Sequence, residues 1–137
     1  MTAHLADCIV LTGSGRLLLQ QRDPDWGASA GRLTLFGGHV EAGEPPLQGL
    51  CRELDEELGA QVEPQDVQFI GAVTEAFTGH TELVHIHLWQ DHANTITGCY
   101  ECQPRQYDSV EEALLHPMIM DYARWALLTA RQQGFLV

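Results

Sequence analysis

Residues 38–60 contain the pattern that most restricts how this chain can fold: a glycine-rich turn followed by a short amphipathic helix. Pro45 and Pro46 favour the first turn of that helix, where a missing backbone N–H costs nothing, and Gly59 favours a left-handed end. Glu44 is expected to cap the helix or to favour its positive end. Four leucines recur at helical spacing and predict one buried stripe: Leu47, Leu50, Leu54 and Leu58.

Three glutamates of this helix, Glu53, Glu56 and Glu57, share a face beside the leucines. Carboxylates this close repel one another, so a stable surface rarely collects them without a cation. Hard cations such as Mg²⁺ or Mn²⁺ prefer oxygen ligands and keep waters and substrate phosphates in the rest of their shell. The pattern therefore predicts a divalent-cation site that acts on phosphates. A solvated helix face is the alternative interpretation.

The polar positions of the segment resemble the Nudix box. Gly38 is followed after five residues by Glu44, and after seven more by the run RELDEE at residues 52–57, which leads to Gly59. The box departs from the family pattern at Ala60, where a larger aliphatic residue is usual, and Phe36 stands just before it where many members have proline. The resemblance implies Mg²⁺-dependent hydrolysis of a nucleoside diphosphate linked to another group, with Mn²⁺ as an alternative metal.

Position by position, the resemblance implies a metal site. Glu56 and Glu57 are expected to be metal ligands, and Glu53 a ligand or the general base. A backbone carbonyl at Gly37 or Gly38 is expected to contact the same metal.

The remaining box residues are expected to act on these carboxylates. Arg52 should orient Glu53 or Glu56, and Glu44 should be its ion-pair partner. Hydrolysis would then proceed by in-line attack of water on phosphorus, with Glu53 or Glu56 helping to remove the proton.

A further carboxylate lies outside the box. Residues 101–104, Glu-Cys-Gln-Pro, resemble the Glu-Gly-Gln-Pro segment of the MutT type of Nudix protein, where the glutamate is a metal ligand on a mobile loop. Glu101 is therefore expected to be an accessory metal ligand or base. An ordinary loop carboxylate is the alternative.

The family resemblance implies an α/β fold: an α/β/α sandwich around a mixed sheet, with the box as a loop–helix–loop, in a single domain over residues 1–137. Apolar runs predict strands at residues 3–11 and 16–21, joined as a hairpin, and at 33–36, 68–77 and 83–90. In the last strand His85 and His87 alternate with apolar residues, which predicts a sheet with one polar face.

Two more helices are predicted near the end of the chain. One covers residues 110–115 and is capped by Asp108 or Ser109. The other is opened by Pro117, with an apolar face that carries Met118, Tyr122, Trp125 and Leu128.

The charge of the chain restricts its partners. The net charge is −12, and all seven cationic residues are arginines. A protein that binds the backbone of an extended nucleic acid needs a basic surface, so the partner is expected to be a small nucleotide. Arg22 and Arg32 are the candidates for its phosphates, because guanidinium groups match phosphate oxygens. A surface position is the alternative for each.

The cysteines suggest one competing function. Cys99 and Cys102 have C-x-x-C spacing, and histidines lie nearby, so a zinc site is an alternative. Cys8 and Cys51 are expected to be small buried hydrophobes. The sequence has no signal peptide and no long apolar run, which predicts a cytoplasmic protein with reduced thiols and no membrane partner. A homodimer is left open.

The substrate must be selected outside the box. Trp26 and Phe77 are the aromatic candidates for stacking on a base, followed by Phe36, Trp89 and Tyr100, with core packing as the alternative for each. Asp121 is a candidate for reading the base. The compact chain and the Glu101 segment favour a (deoxy)nucleoside triphosphate pyrophosphatase. The alternatives are an ADP-ribose or nucleotide-sugar hydrolase, a dinucleoside-polyphosphate hydrolase, and a nucleotide-binding Nudix module without catalysis.

Overall fold

The computed structural model of the protein describes residues 2–24 and 30–137. Within them, seven strands form one sheet and three α-helices pack on it. The strands are β1 (Ala3–Leu11), β2 (Leu17–Gln21), β3 (Leu33–Thr34), β4 (Phe36–His39), β5 (Gln68–Thr74), β6 (Glu82–Gln90) and β7 (Gln103–Tyr107). The helices are α1 (Pro46–Leu58), α2 (Val110–Leu114) and α3 (Asp121–Gln132).

The sheet is mixed, as the family resemblance implies. Its main path runs β3-β2-β1-β6-β5, while β4 pairs with β1 and β7 pairs with β2. Only β1 and β6 pair in parallel, along their whole length from Ala3 and Glu82 to Leu11 and Gln90; the other pairs are antiparallel. The predicted hairpin of β1 and β2 is confirmed.

Both faces of the sheet are covered, because alternate residues of the central strands enter two different cores. On one face, Cys8 and Val10 of β1 pack with the leucines of α1. On the other, Ile9 and Leu11 pack with α3. The result is the α/β/α sandwich.

The expectation of a polar sheet face holds for His85, which is partly exposed and stacks on His4, but was wrong for His87. His87 is buried on the face covered by α1, next to Trp89 of the same core, and its Nδ1 lies 3.3 Å from the backbone oxygen of Asp7. Burial lowers the pKa of His87, since desolvation disfavours the charged ring. Alternation alone does not show whether a polar residue faces water or a second layer.

Helix α1 follows its sequence pattern closely. Leu50, Leu54 and Leu58 are fully buried, and Gly59 ends the helix in the left-handed conformation at φ 66°. The N-cap position is occupied by Pro45, and no side chain caps the helix. Glu44 therefore does not cap α1, and its carboxylate pairs with Arg52 instead.

The prediction for helix α2 is confirmed, whereas that for helix α3 was partly wrong. Helix α2 begins after Ser109, whose hydroxyl accepts the N–H of Glu112 at 3.2 Å, as one of the two predicted caps would. Helix α3 begins at Asp121, later than predicted, and its buried side is rich in alanine, which allows close packing on the sheet. Trp125 and Leu128 are each 37% exposed, so the predicted apolar face was largely wrong.

Strand β7 was not predicted. It is mostly exposed, its residues do not alternate between apolar and polar, and it contains Pro104. It exists because its backbone pairs with β2 over five positions, from Leu17–Tyr107 to Gln21–Gln103. No helix within residues 2–24 and 30–137 has the length and hydrophobicity needed to cross a bilayer.

Candidate active site

Arg52 connects the carboxylates of the box. Its Nε and Nη2 donate to the two carboxylate oxygens of Glu44 at 3.1 and 3.0 Å, and its Nη1 donates to Glu53 Oε1 at 3.0 Å. Nη2 also donates to the carbonyl of His39 at 3.2 Å. This two-pronged pairing lowers the pKa of Glu44 and raises that of Arg52. Arg52 therefore fixes Glu53 relative to the loop that precedes α1.

Glu57 contacts the glycine pair, Gly37 and Gly38, which lies in strand β4 and not in a turn as the sequence predicted. Its side chain is buried, and its Oε2 accepts the N–H of Gly37 at 2.9 Å. Burial, followed by the nearby carboxyl of Asp7, raises the pKa of Glu57 to about 8. A buried carboxyl of this kind has lost most of its hydration, and a nearby cation would stabilise its anion further than the Gly37 N–H alone.

Glu53, which accepts a hydrogen bond from Arg52, contacts the same glycine pair. A Cβ added to Gly38 would lie 2.7 Å from the Glu53 carboxyl carbon and 2.8 Å from both of its oxygens. Only glycine at position 38 leaves the carboxylate where it is. Glu53 and Glu57 thus both contact the glycine pair, Glu53 at Gly38 and Glu57 at Gly37.

Glu56 lies further out. Its side chain is 59% exposed, and its Oε1 is 3.6 Å from Arg52 Nη1. Within residues 2–24 and 30–137, no three His, Cys, Asp or Glu side chains are arranged as a set that could hold a metal ion. The structure therefore brings Glu53 and Glu57 to the glycine pair of β4 but does not gather all three glutamates at one point.

The oxygen atoms around the glycine pair nevertheless fit a hard cation. The groups available are carboxylate oxygens of Glu53, Glu57 and, further out, Glu56, together with backbone carbonyls of the glycines. Mg²⁺ and Mn²⁺ prefer such oxygen donors. The buried Glu57, with a backbone N–H as its hydrogen-bond donor, is the observation that favours a cation here.

A cavity of about 380 Å³ opens beside the glycine pair. Its wall includes Gly37 and Gly38 of the box entrance and Arg22 at the end of β2. It is also lined by Phe77, Met120 and Tyr122. A cavity of this size that opens beside the carboxylates has room for a base or another planar group.

Three predicted substrate residues lie at or near this cavity. Phe77, which is 43% exposed, lines the cavity, and the Arg32 guanidinium carbon stacks 4.0 Å above the centre of its ring. Arg22 lines the cavity as well. The fourth, Trp26, lies outside the described residues.

The other aromatic candidates divide clearly. Phe36 and Trp89 are buried in the core on the α1 side, so they cannot stack on a ligand. Tyr100 is 61% exposed, and its hydroxyl lies 2.5 Å from that of Thr97. Asp121 is exposed at the start of α3, between two residues that line the cavity.

Glu101 lies in the loop before β7. It is exposed, and among the residues that the structure describes its side chain makes no hydrogen bond or ion pair. The adjacent Tyr100 N–H donates to the backbone oxygen of Glu57 at 3.0 Å, so the loop is attached to the end of α1. Its role as an accessory ligand stays a prediction.

The same loop corrects the cysteine hypothesis. Cys99 and Cys102 form a disulfide. The expectation of reduced thiols was wrong for this pair, and neither sulfur is available as a thiolate ligand for zinc. Cys8 is buried and Cys51 partly buried, and both are free, in agreement with their expected packing role.

Sequence reasoning missed a buried polar network behind the cavity. Tyr122 donates its hydroxyl to Asp7 Oδ2 at 2.6 Å and accepts the N–H of Leu35 at 3.2 Å. Glu75 is buried as well, and its carboxylate accepts the N–H groups of Phe77 at 2.9 Å and of Tyr122 at 3.0 Å. A charged residue in the middle of an apolar strand, as Asp7 is, was the available signal.

The sequence profile of the NUDIX domain family matches residues 2–128, nearly the whole chain. The protein is a Nudix hydrolase. Curated Nudix relatives include an oxidized purine nucleoside triphosphate hydrolase of Mus musculus, 32% identical over 98% of this chain and 84% of that protein. Another is a CTP pyrophosphohydrolase of Escherichia coli K12, 33% identical over 80% of this chain and 78% of that protein.

Solved structures agree with this Nudix assignment at the level of the fold. The MutT protein of Methanosarcina mazei Go1 superimposes with a TM-score of 0.75 at 20% identity, over 97% of this chain and 95% of that one. The ORF135 protein of E. coli gives a TM-score of 0.69 at 28% identity, over 96% of this chain and 89% of that one. The predicted sandwich and its mixed sheet are confirmed.

Proposed function

We propose that this Nudix hydrolase cleaves (deoxy)nucleoside triphosphates to monophosphate and pyrophosphate in the presence of Mg²⁺. The observation that carries the proposal is the position of the box carboxylates. Glu53 and Glu57 contact the glycine pair Gly37 and Gly38, and the same two glycines line a cavity large enough for a base. A nucleotide whose phosphates lie at the glycine pair would place its base in the cavity.

The metal would be held by Glu53, Glu56 and Glu57 together with the Gly38 carbonyl, and Mn²⁺ could replace Mg²⁺. When bound, it supplies positive charge that polarises the phosphoanhydride and lowers the pKa of water. Glu101 is proposed as an accessory ligand. The raised pKa of Glu57 supports its own role as a metal ligand, because a carboxyl that is costly to ionise alone gains most from a neighbouring cation.

The protein supplies orientation and a proton acceptor. Arg52 holds the Glu53 carboxylate, and Glu44 holds Arg52 through two hydrogen bonds. Glu53 and Glu56 both lie on the Arg52 side and are the candidates for taking a proton from the attacking water. Glu57 is less suited to that role, since it is buried and bonded to Gly37.

The substrate class rests on the cavity and on the relatives. Phe77 offers an aromatic face to a base, and Arg22 and Arg32 supply positive charge for phosphates. The Nudix relatives named above act on triphosphates of an oxidised purine nucleoside and of cytidine. A triphosphate is therefore preferred to the ADP-ribose, nucleotide-sugar and dinucleoside-polyphosphate alternatives.

A nucleotide panel tests the proposal. The purified protein is incubated with Mg²⁺ and nucleoside triphosphates, ADP-ribose, nucleotide sugars, dinucleoside polyphosphates or capped RNA, and the products are identified. Monophosphate and pyrophosphate from at least one triphosphate are expected. Hydrolysis confined to another class would move the function to that class, and binding without hydrolysis would leave a nucleotide-binding module.

The wider setting is also a proposal. A small nucleotide is expected to be the partner, without an extended nucleic acid or a membrane, and the cytoplasm is the expected location. A homodimer is left open. Size-exclusion chromatography with light scattering tests the oligomeric state directly.

A further inference from the structure

We propose that Asp7 determines which base the cavity accepts, by hydrogen bonding through its free carboxylate oxygen to an exocyclic amino group. This inference rests on the proposed function only in taking the cavity as the base site. Asp7 lies on β1, where it pairs directly with Gly37 of β4, and both residues line the cavity.

The carboxyl of Asp7 is satisfied on one side only. Oδ2 accepts the hydroxyl proton of Tyr122 at 2.6 Å. Oδ1 is buried and has no hydrogen-bond partner within residues 2–24 and 30–137. A buried polar atom without a partner is rare and costly, so its presence in the wall of a cavity indicates that a ligand supplies the missing donor.

The network around Asp7 fixes the position of this oxygen. Tyr122 already accepts the N–H of Leu35, so its own proton is directed to Asp7. Oδ1 lies beside Gly37, where any side chain would overlap it, and both residues line the cavity. The free oxygen is thus held beside the glycine pair that Glu53 and Glu57 contact.

An acceptor at this place selects a donor. Exocyclic amino groups of adenine, guanine and cytosine present N–H donors at the edge of a flat ring, as a carboxylate oxygen in a cavity wall requires. Phe77 on the rim of the same cavity can hold the ring by stacking while Asp7 reads its edge. A site with a buried acceptor discriminates strongly against an analogue that lacks the donor, because the acceptor is then left unpaired.

The test measures binding of nucleoside monophosphates, which the proposed reaction cannot consume. Three pairs differ only in the exocyclic amino group: guanine and hypoxanthine, adenine and purine, and cytosine and pyrimidin-2-one, each as the riboside monophosphate. Calorimetry is done at about pH 8.5, above the pKa of about 7 to which burial raises Asp7. In the pair that binds tightest, the amino member is expected to bind about tenfold more tightly.

The variants separate recognition from stability. Asp7→Asn keeps an acceptor for Tyr122 and places an amide where Oδ1 was, so the tenfold preference should fall to within about twofold. Asp7→Ala should have the same effect and serves if the first variant fails to fold. Asp66→Asn, a matched change at an exposed position, should leave the preference unchanged.

Three results would overturn the inference: equal binding of both members by the unchanged protein, no binding of any monophosphate, or an equal loss for both members in Asp7→Asn. Pyrophosphate release from triphosphates is measured separately. Its absence would contradict the proposed function while the binding preference still decides the role of Asp7.

Discussion

Glu57 Oε2 accepts the backbone N–H of Gly37 at 2.9 Å, which attaches the box helix α1 to strand β4 through a buried carboxylate. The contact places an acidic group beside the glycine pair, Gly37 and Gly38, where phosphates are proposed to bind. Burial raises its pKa to about 8, so ionisation at neutral pH is unfavourable without a neighbouring cation.

Replacing Glu57 by glutamine should separate the structural contact from the charge. The amide oxygen still accepts the Gly37 N–H, so the melting temperature without metal should not fall. Loss of the charge should lower kcat by about 100-fold or more and abolish the rise in melting temperature caused by Mg²⁺. Asp55→Asn, at an exposed position of the same helix, is the control. Full activity of Glu57→Gln would exclude this residue from the metal site.

Glu56→Gln tests the proton acceptor. Glu56 is mostly exposed, so the fold should be unaffected, while kcat should decrease by about 100-fold to 10,000-fold if its carboxylate removes the proton. Steady-state kinetics with Mg²⁺ and the circular dichroism spectrum provide the two readouts. If Glu56→Gln is fully active and Glu53→Gln is not, the role passes to Glu53.

Arg52→Lys should reduce catalysis more than stability. Lysine keeps the charge but cannot donate to both oxygens of Glu44 and to Glu53 at the same time. A decrease in kcat of about 10-fold to 100-fold is expected, with a loss of about 1 kcal/mol or less in the free energy of unfolding. Arg131→Lys, which alters the exposed pair with Glu111, is the matched control and should leave kcat unchanged. Unchanged kinetics in Arg52→Lys would contradict a positioning role.

Phe77→Leu should weaken substrate binding. The ring lines the cavity and is stacked on one face by Arg32. Its loss should raise KM by about threefold to tenfold with a smaller effect on kcat. Phe69→Leu removes a ring that is 53% exposed on β5 and does not line the cavity, and it should leave KM unchanged. Equal effects of the two substitutions would argue against stacking in this cavity.

His87 should contribute to the loss of thermal stability at acidic pH. Burial holds its pKa below the usual value of 6.5, so its contribution to stability is present above that value. The contribution is lost as the pH falls through the lower pKa of the folded protein, because the buried ring must then take up a proton. His87→Gln should flatten the decrease in melting temperature between about pH 7 and pH 5. His92→Gln, at an exposed position, should leave the decrease as steep as before.

Much of the site could be predicted because it is local. The prolines and Gly59 set the ends of α1 within a residue or two, and the resemblance to the Nudix box predicted the ion pair of Arg52 with Glu44. The hairpin of β1 and β2 follows from two apolar runs separated by a glycine-rich turn. In each case the residues that decide the structure are close in sequence.

The remaining features depend on residues that are distant in sequence. Asp7 and Tyr122 are brought together only when β1 and α3 pack, and β7 is a strand only because β2 offers it a backbone edge. The burial of His87 likewise depends on the layer formed by α1.

The sequence by itself determined the family and the box helix and placed the box carboxylates on that helix, because helical spacing and end signals act over one or two turns. Only the tertiary structure decided that Glu57 is buried against Gly37 while Glu56 stays exposed, and that a cavity with an unpaired Asp7 oxygen opens beside them. Burial and desolvation are properties of the packed layers, and they are what distinguish one carboxylate from the next.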